Sequence, residues 1–216
     1  MIYETFIGSM LGTYMIGKYN NMSYNDISWY FALVMSINVY WFHNIPFVYE
    51  NSYLFTNVQP YEHLNQILYC VDSYLIMDLL CNSSNKFDTL LHHIAGITGI
   101  TISLIGNNVG VLNNCVRNEI STIWLALGTI SNKSNFPLFK RLNPIFMLIF
   151  AITFVSHRII PCTIIMYKMI TNIEMVAHSP LSIIQSCSYI FHIGLQYYWF
   201  SLIVKNIHNL VHKKKV

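Results

Sequence analysis

The stretch Phe87-Asp88-Thr89-Leu90-Leu91-His92-His93-Ile94-Ala95-Gly96-Ile97-Thr98-Gly99-Ile100 puts two adjacent imidazoles into a run otherwise built mainly from Ile, Leu, Ala and Gly. Such a run reads as a helix bound for hydrocarbon, where an ionisable side chain is expensive and marks a functional site by default. Neighbouring helical residues point about 100° apart, so the two rings do not serve one spot equally well. Gly96 and Gly99 share the face of His92 at i+4 and i+7. A strip of small residues lets another helix, or a ligand, come close.

Composition agrees with lipid as the solvent. Of 216 residues, 54% are hydrophobic and only 10% charged, and the mean hydropathy is +0.44. Soluble domains carry about 25% charged residues. Aromatics reach 15%, with 15 Tyr and 4 Trp, as expected where many helix ends meet the bilayer interface. The net charge of +3 is small, and no basic stripe runs along a helix, which argues against nucleic acid as a partner. Five cysteines (Cys70, Cys81, Cys115, Cys162, Cys187) are odd in number and lack C-x-x-C spacing. They read as small packing residues, not as a disulfide framework or a metal site. Serine hydrolase, P-loop, zincin and dinucleotide-binding signatures are absent. So are the histidine boxes of a di-iron hydroxylase: the one H-x3-H is His208 to His212.

Seven apolar runs stand out, at about 2–17, 27–42, 64–81, 89–106, 109–130, 143–170 and 181–204. Several fall short of the roughly 20 residues that hydrocarbon requires. Residues 1–17 carry Glu4 and no basic leader, and read as a first span rather than a cleaved signal. Pro161 is predicted to kink or divide the sixth run. Lys18, then Lys86, then Lys133, Lys140 and Arg141, then Lys213, Lys214 and Lys215 follow the odd-numbered runs. The connections after even-numbered runs hold Glu50, Glu62 and Glu174 and no Lys or Arg. By the positive-inside rule this alternation makes the N-terminus lumenal and the C-terminus cytosolic. The sequons at Asn21, Asn82 and Asn132 all fall in connections assigned to the cytosol. The ending Lys213-Lys214-Lys215-Val216 matches Lys-Lys-x-x. It resembles the dilysine address read by endoplasmic-reticulum retrieval coats, and it equally suits anionic headgroups. The division expected is an N-terminal span and loop at 1–26, one domain at 27–205, and a basic cytosolic tail at 206–216.

That orientation assigns depths. His92 and His93 lie roughly 5 Å inside the cytosolic boundary at about 1.5 Å per residue. Asp78, near the cytosolic end of the antiparallel third run, comes level with them. A carboxylate on one ring nitrogen fixes the tautomer and raises the basicity of the other. Arg117 and Glu119 on the fifth run, His157 and Arg158 on the sixth, His192 on the seventh and Asp72 on the third approach mid-membrane. Asp72, Arg117, Glu119 and Arg158 equally fit interior ion pairs. His192 alone reads as a satisfied core histidine, and Tyr69, Tyr74 and Trp124 read as packing or interface aromatics.

The order Asp78, then His92-His93, then Asn118-Glu119-Ile120-Ser121-Thr122, then Arg158 on four successive spans resembles the TLC domain. That homology is shared by TRAM proteins, Lag-type ceramide synthases and related TLC-domain proteins. The resemblance covers roughly residues 30–205 and rests on Tyr74-x3-Asp78, the His pair and Glu-x-Ser. It implies an all-α, multi-pass membrane fold of about seven helices, six of them a barrel around a polar cavity. In ceramide synthases the His pair lies where an acyl chain passes from acyl-CoA to a sphingoid amine. Carried over, His92 and His93 would handle the acyl group or act as general base, with Asp78 or Glu119 orienting them. Arg117, His157 and Arg158 would line the cavity. Ceramide synthases hold two aspartates three apart in the second motif, whereas here Glu119 is followed by Thr122. In this the chain looks closer to the smaller TLC-domain proteins with Glu-x-Ser-Thr, whose roles concern membrane lipid composition.

Two functions follow as expectations. The first is a lipid-handling membrane protein without catalysis, with a membrane lipid as partner and no cofactor or metal. The alternative is an acyl-CoA-dependent N-acyltransferase acting on a sphingoid-type amine through the His pair.

Overall fold

In a computed structural model of the protein, the residues described are 2–20, 22–42, 64–81, 87–106, 110–177 and 179–213. Asn21, Glu50, Glu62, Asn82, Lys86, Lys214 and Lys215 lie outside them. The fold is all-helical, with no strand among the described residues. Its helices are α1 (Ile2–Tyr19), α2 (Tyr24–Phe42), α3 (Leu64–Cys81), α4 (Phe87–Gly106), α5 (Gly110–Val116), α6 (Glu119–Lys133) and α7 (Pro137–Arg141). They continue as α8 (Asn143–Thr171), α9 (Ile173–Val176) and α10 (Pro180–Lys213).

Local chemistry sets several of these limits. Ser23 accepts the Asp26 amide at 3.2 Å ahead of α2, and Ser179 accepts the Ser182 amide at 3.2 Å ahead of α10. Both supply a side-chain acceptor to an orphan N–H of the first turn. Pro137 and Pro180 open α7 and α10, where a missing N–H costs nothing. Among the described residues, Phe87–Ile105 and Asn143–Thr171 are long and apolar enough to cross a membrane. On α8 the large apolar side chains Leu148, Ile152, Ile160, Tyr167 and Ile170 point outward, a face that water would penalise and hydrocarbon accepts.

Two of the apolar runs are interrupted. The fifth is broken at Arg117-Asn118, where amides bond three residues back, Asn118 to Cys115 at 2.9 Å and Ser121 to Asn118 at 3.2 Å. The sixth is not divided at Pro161. A wider π turn at Val155–Ile159 precedes the proline, and the α-helix resumes at Ile160. Pro161 has no N–H to offer the fourth residue back and its ring crowds that carbonyl. A π turn absorbs both and rotates the helix before the ring arrives.

Around the bundle, α2 packs on α6, α6 on α8, the π turn of α8 on α10, α10 on α4, α4 on α3, and α3 back on α2. Helix α1 lies against α2 and α3, and the short α5 against α3 and α4. Apolar side chains fill the interior in two clusters. One joins Phe31, Met35, Leu68, Val71 and Leu112; the other joins Val111, Ile165, Met169, Tyr189 and Ile193. Where lipid surrounds a bundle, dispersion and close approach hold helices together more than expulsion of water does. Gly17 against Ile27 and Gly128 against Met147 provide that approach, since a Cβ at either would stand 2.6 Å from the neighbouring side chain.

Candidate functional site

The adjacent imidazoles of α4 do different things. His93 is buried, with Nε2 2.9 Å from Asp78 Oδ2 on α3. Its Nδ1 stands 2.8 Å from the Thr89 carbonyl one turn back. A carbonyl only accepts, so Nδ1 carries a proton and Nε2 shares another with the carboxylate. Ser28 of α2 donates its hydroxyl to the second oxygen, Asp78 Oδ1. Ser28, Asp78 and His93 thus tie three helices together at one level.

His92 turns the other way. Its ring centroid lies 5.0 Å from that of Trp199, edge-on, and 5.4 Å from that of His192. Trp199 Nε1 donates to Asp88 Oδ2 at 2.9 Å, which pins the indole beside His92. His92 Nδ1 is buried without a hydrogen-bond partner. The ring borders an internal cavity of about 60 Å³ walled by α3, α4, α5, the start of α6, and α10. One end holds His92, Glu119 and His192. The remainder is mainly apolar, with Val71, Leu75, Ile100, Val111 and Leu112 beside Gly96 and Gly99, and its polar members Gln185 and Ser188 are spent on Ser103 and the Ala95 carbonyl. That space admits a few waters or a length of slender alkyl chain, and its walls favour the chain.

A second polar group sits behind that end. Arg158, only 5% exposed, projects from the π turn of α8. Its Nε donates to the Asn118 carbonyl at 3.1 Å and to Ser121 Oγ at 2.6 Å. Nη2 donates to Thr122 Oγ1 at 2.7 Å, and Nη1 to Gln196 Oε1 at 3.1 Å. Thr122 in turn donates to Glu119 Oε2 at 2.8 Å, and that oxygen is 4.0 Å from Arg158 Nη2. The guanidinium also stacks 5.2 Å from the Phe154 ring centre. The Asn118 carbonyl at the break is shared, taking the Ser121 amide at 3.2 Å and the Ser121 hydroxyl at 2.9 Å besides Arg158 Nε. Gln196 then donates from Nε2 to His192 Nε2 at 3.0 Å, with Asn118 Nδ2 a further 3.4 Å contact.

A family model described as the TLC domain matches residues 6–205. The chain belongs to the TLC-domain family. It is therefore a membrane protein of the TRAM, Lag and CLN grouping, whose roles are lipid-related. No curated protein and no solved structure matches it.

Of the TLC-type residues singled out in the sequence, His92 and Glu119 border the cavity. Asp78 and His93 form the buried pair behind it, and Arg158 lies at the centre of the polar network. Arg117 and His157 are not among the cavity's lining. His157 is half-buried, its Nδ1 2.8 Å from Ser156 Oγ on the outer side of α8, and Arg117 is near enough to act on it electrostatically. Asp72 bonds to Thr101 rather than to either arginine. Three residues carry more of the site than their sequence context signals: His192, Gln196 and Trp199 on α10. No motif marks them. The hint was position alone, since His192, Gln196 and Trp199 fall at i, i+4 and i+7 and so share one helical face.

Proposed function

We propose that six helices, α2, α3, α4, α6, α8 and α10, form the barrel of a multi-pass protein, with α1 as a seventh span outside it. Its role is to hold a membrane lipid, with one hydrocarbon chain in the cavity. The observation that carries this reading is the uneven lining of that cavity, mainly apolar along Val71, Ile100, Val111 and Leu112, where Gln185 and Ser188 bond within the protein, and polar at His92, Glu119 and His192. A ligand with one apolar tail and one polar head fits such a wall; a wholly polar solute does not. The Glu119-x-Ser121-Thr122 pattern supports kinship with the smaller TLC-domain proteins that act on membrane lipid composition. The contact of Asp26 with Lys133 brings the start of α2 and the end of α6 to one side, which supports a cytosolic face bearing Lys18, Lys133 and the basic tail.

Extraction and mass spectrometry of the purified protein test this. Lipid should accompany the wild type, and Leu112→Trp, which fills the cavity, should reduce recovery by about tenfold. Equal recovery from both overturns the reading.

A second reading is favoured by one observation, the unpartnered Nδ1 of His92. There the acyl group of acyl-CoA enters the cavity and a sphingoid-type amine attacks its thioester carbonyl. His92 takes the amine proton and passes it to the departing thiolate. His92→Ala should then abolish amide formation in membranes supplied with acyl-CoA and the amine. Unchanged product eliminates this reading and leaves the lipid-holding one intact.

A further inference from the structure

The hydrogen bonds behind the cavity determine which nitrogen of His192 carries its proton. Arginine has donors only, so Nη1 of Arg158 can meet Gln196 only at its carbonyl oxygen, 3.1 Å away. That removes the usual ambiguity in the orientation of a glutamine amide. The NH2 group of Gln196 must then be the atom facing His192 Nε2 at 3.0 Å. An NH2 only donates, so Nε2 of His192 accepts and the neutral ring carries its hydrogen on Nδ1. The contact from Asn118 Nδ2 at 3.4 Å acts in the same sense. Arg158 thereby sets a tautomer two hydrogen bonds away.

We infer that His192 is the hydrogen-bond donor of this cavity, held as its Nδ1–H tautomer by the Arg158–Gln196 relay, and that it receives the carbonyl oxygen of a lipid acyl group. This rests on the reading of the cavity as a lipid-chain site. His192 borders the cavity at its polar end, and its ring stands 5.4 Å from that of His92. Beside His92, the other polar groups at that end include Glu119, which already accepts a hydrogen bond from Thr122 at 2.8 Å. With Arg158 committed to Glu119 at 4.0 Å, the guanidinium is not offered to a carboxylate headgroup, while a neutral carbonyl needs only a donor. The chemistry favoured is a neutral ester, thioester or amide rather than a free fatty acid. Tyr189 stacks against the His192 ring at 6.3 Å between centroids, which limits its rotation. His192 is a binding and positioning residue on this account, and it remains so whether or not the acyl group is transferred.

The test uses the full-length protein in nanodiscs with two photoreactive probes of equal chain length, a fatty acid methyl ester and the alkane without the carbonyl. Wild type should prefer the ester about three- to tenfold, the size of one neutral hydrogen bond. His192→Phe, which keeps the stacked ring, should label equally with both. Nitrogen-15 NMR of labelled histidine should find the Nδ1–H form in the wild type. Gln196→Glu presents an acceptor in place of the NH2 and should move the proton to Nε2 while reducing the ester preference. An Nε2–H tautomer in the wild type, or an ester preference that survives His192→Phe, overturns the inference while chain binding stands. Labelling by neither probe sinks the chain-binding reading and the inference with it.

Discussion

Asp78 and His93 meet at 2.9 Å from different helices, and the second nitrogen of the same imidazole is spent on the Thr89 carbonyl at 2.8 Å. Both ring nitrogens of His93 are therefore engaged within the protein, while His92 beside it borders the cavity and keeps a buried Nδ1 without a partner. The pair divides into one residue that holds the bundle and one that borders the cavity. His93→Ala leaves a buried carboxylate with Ser28 as its named partner, and breaking a buried pair costs about 3–5 kcal/mol. His92→Ala removes no hydrogen bond to the protein through Nδ1 and should cost clearly less. Thermal unfolding of the two variants in detergent, followed by a thiol-reactive dye on the interior cysteines, makes the comparison. Equal losses would remove the distinction.

Arg158 should tolerate no substitution well. Its fork serves Asn118, Ser121, Thr122 and Gln196 at once, and a lysine ammonium lacks the planar reach to replace it. Arg158→Lys should lower stability by about 3 kcal/mol or more, because several buried acceptors lose their donor together. Gln196→Leu, which removes the link to His192 and one of the acceptors of Arg158, should cost about 1–3 kcal/mol. The same unfolding assay ranks them, and a Lys variant as stable as wild type would contradict the network.

Depth is legible in the residues, and direction is not. Counting about 1.5 Å per residue along antiparallel spans brings Asp78 level with the His pair. Which imidazole turns toward Asp78 depends on the rotation of α4, set in part by Leu75 against Gly96. That contact joins residues far apart in the chain, and no local pattern encodes it. The break at Arg117-Asn118 carries no Gly or Pro to announce it, and the guanidinium that meets its Asn118 carbonyl comes from another helix. Pro161 does announce a disturbance, but the proline signals only that the ladder must give, not that a π turn absorbs it. Gln196 is the least legible of all, since an amide on an aromatic-rich helix looks the same whether it meets solvent or sets a tautomer.

The two glycines beside the cavity should respond oppositely to alanine. A Cβ at Gly96 would stand 2.8 Å from Leu75 Cδ1, so Leu75 must swing away from its place in the cavity wall. At Gly99 the nearest atom is Ser188 Oγ at 3.4 Å, the edge of ordinary contact. Alanine in a helix interior is worth about 0.5–1 kcal/mol over glycine. Gly99→Ala should realise most of that gain, whereas Gly96→Ala should lose it to crowding and also change lipid recovery. Unfolding midpoints that rise for both would show that Leu75 yields without strain.

Asp26 and Lys133 form a clasp outside the apolar runs, and its pH dependence has a definite sign. The Lys133 ammonium, 2.5 Å from Asp26 Oδ1, together with the Ser23 hydroxyl holds the Asp26 carboxyl below the usual carboxylate range. A group whose folded value is depressed stabilises the protein above its unfolded value of about 4, and that contribution is lost as pH falls through the folded value. The side chains are 52% and 33% exposed for Lys133 and Asp26, so solvent screening limits the pair to about 0.2–1 kcal/mol. Wild type should therefore exceed Lys133→Ala by a small, constant margin between pH 5 and 7, measured at low salt. Below about pH 4 the margin should close, and added salt should shrink it at every pH. A margin that widens on acidification would mean that Lys133 stabilises the protein through some contact other than the Asp26 carboxylate.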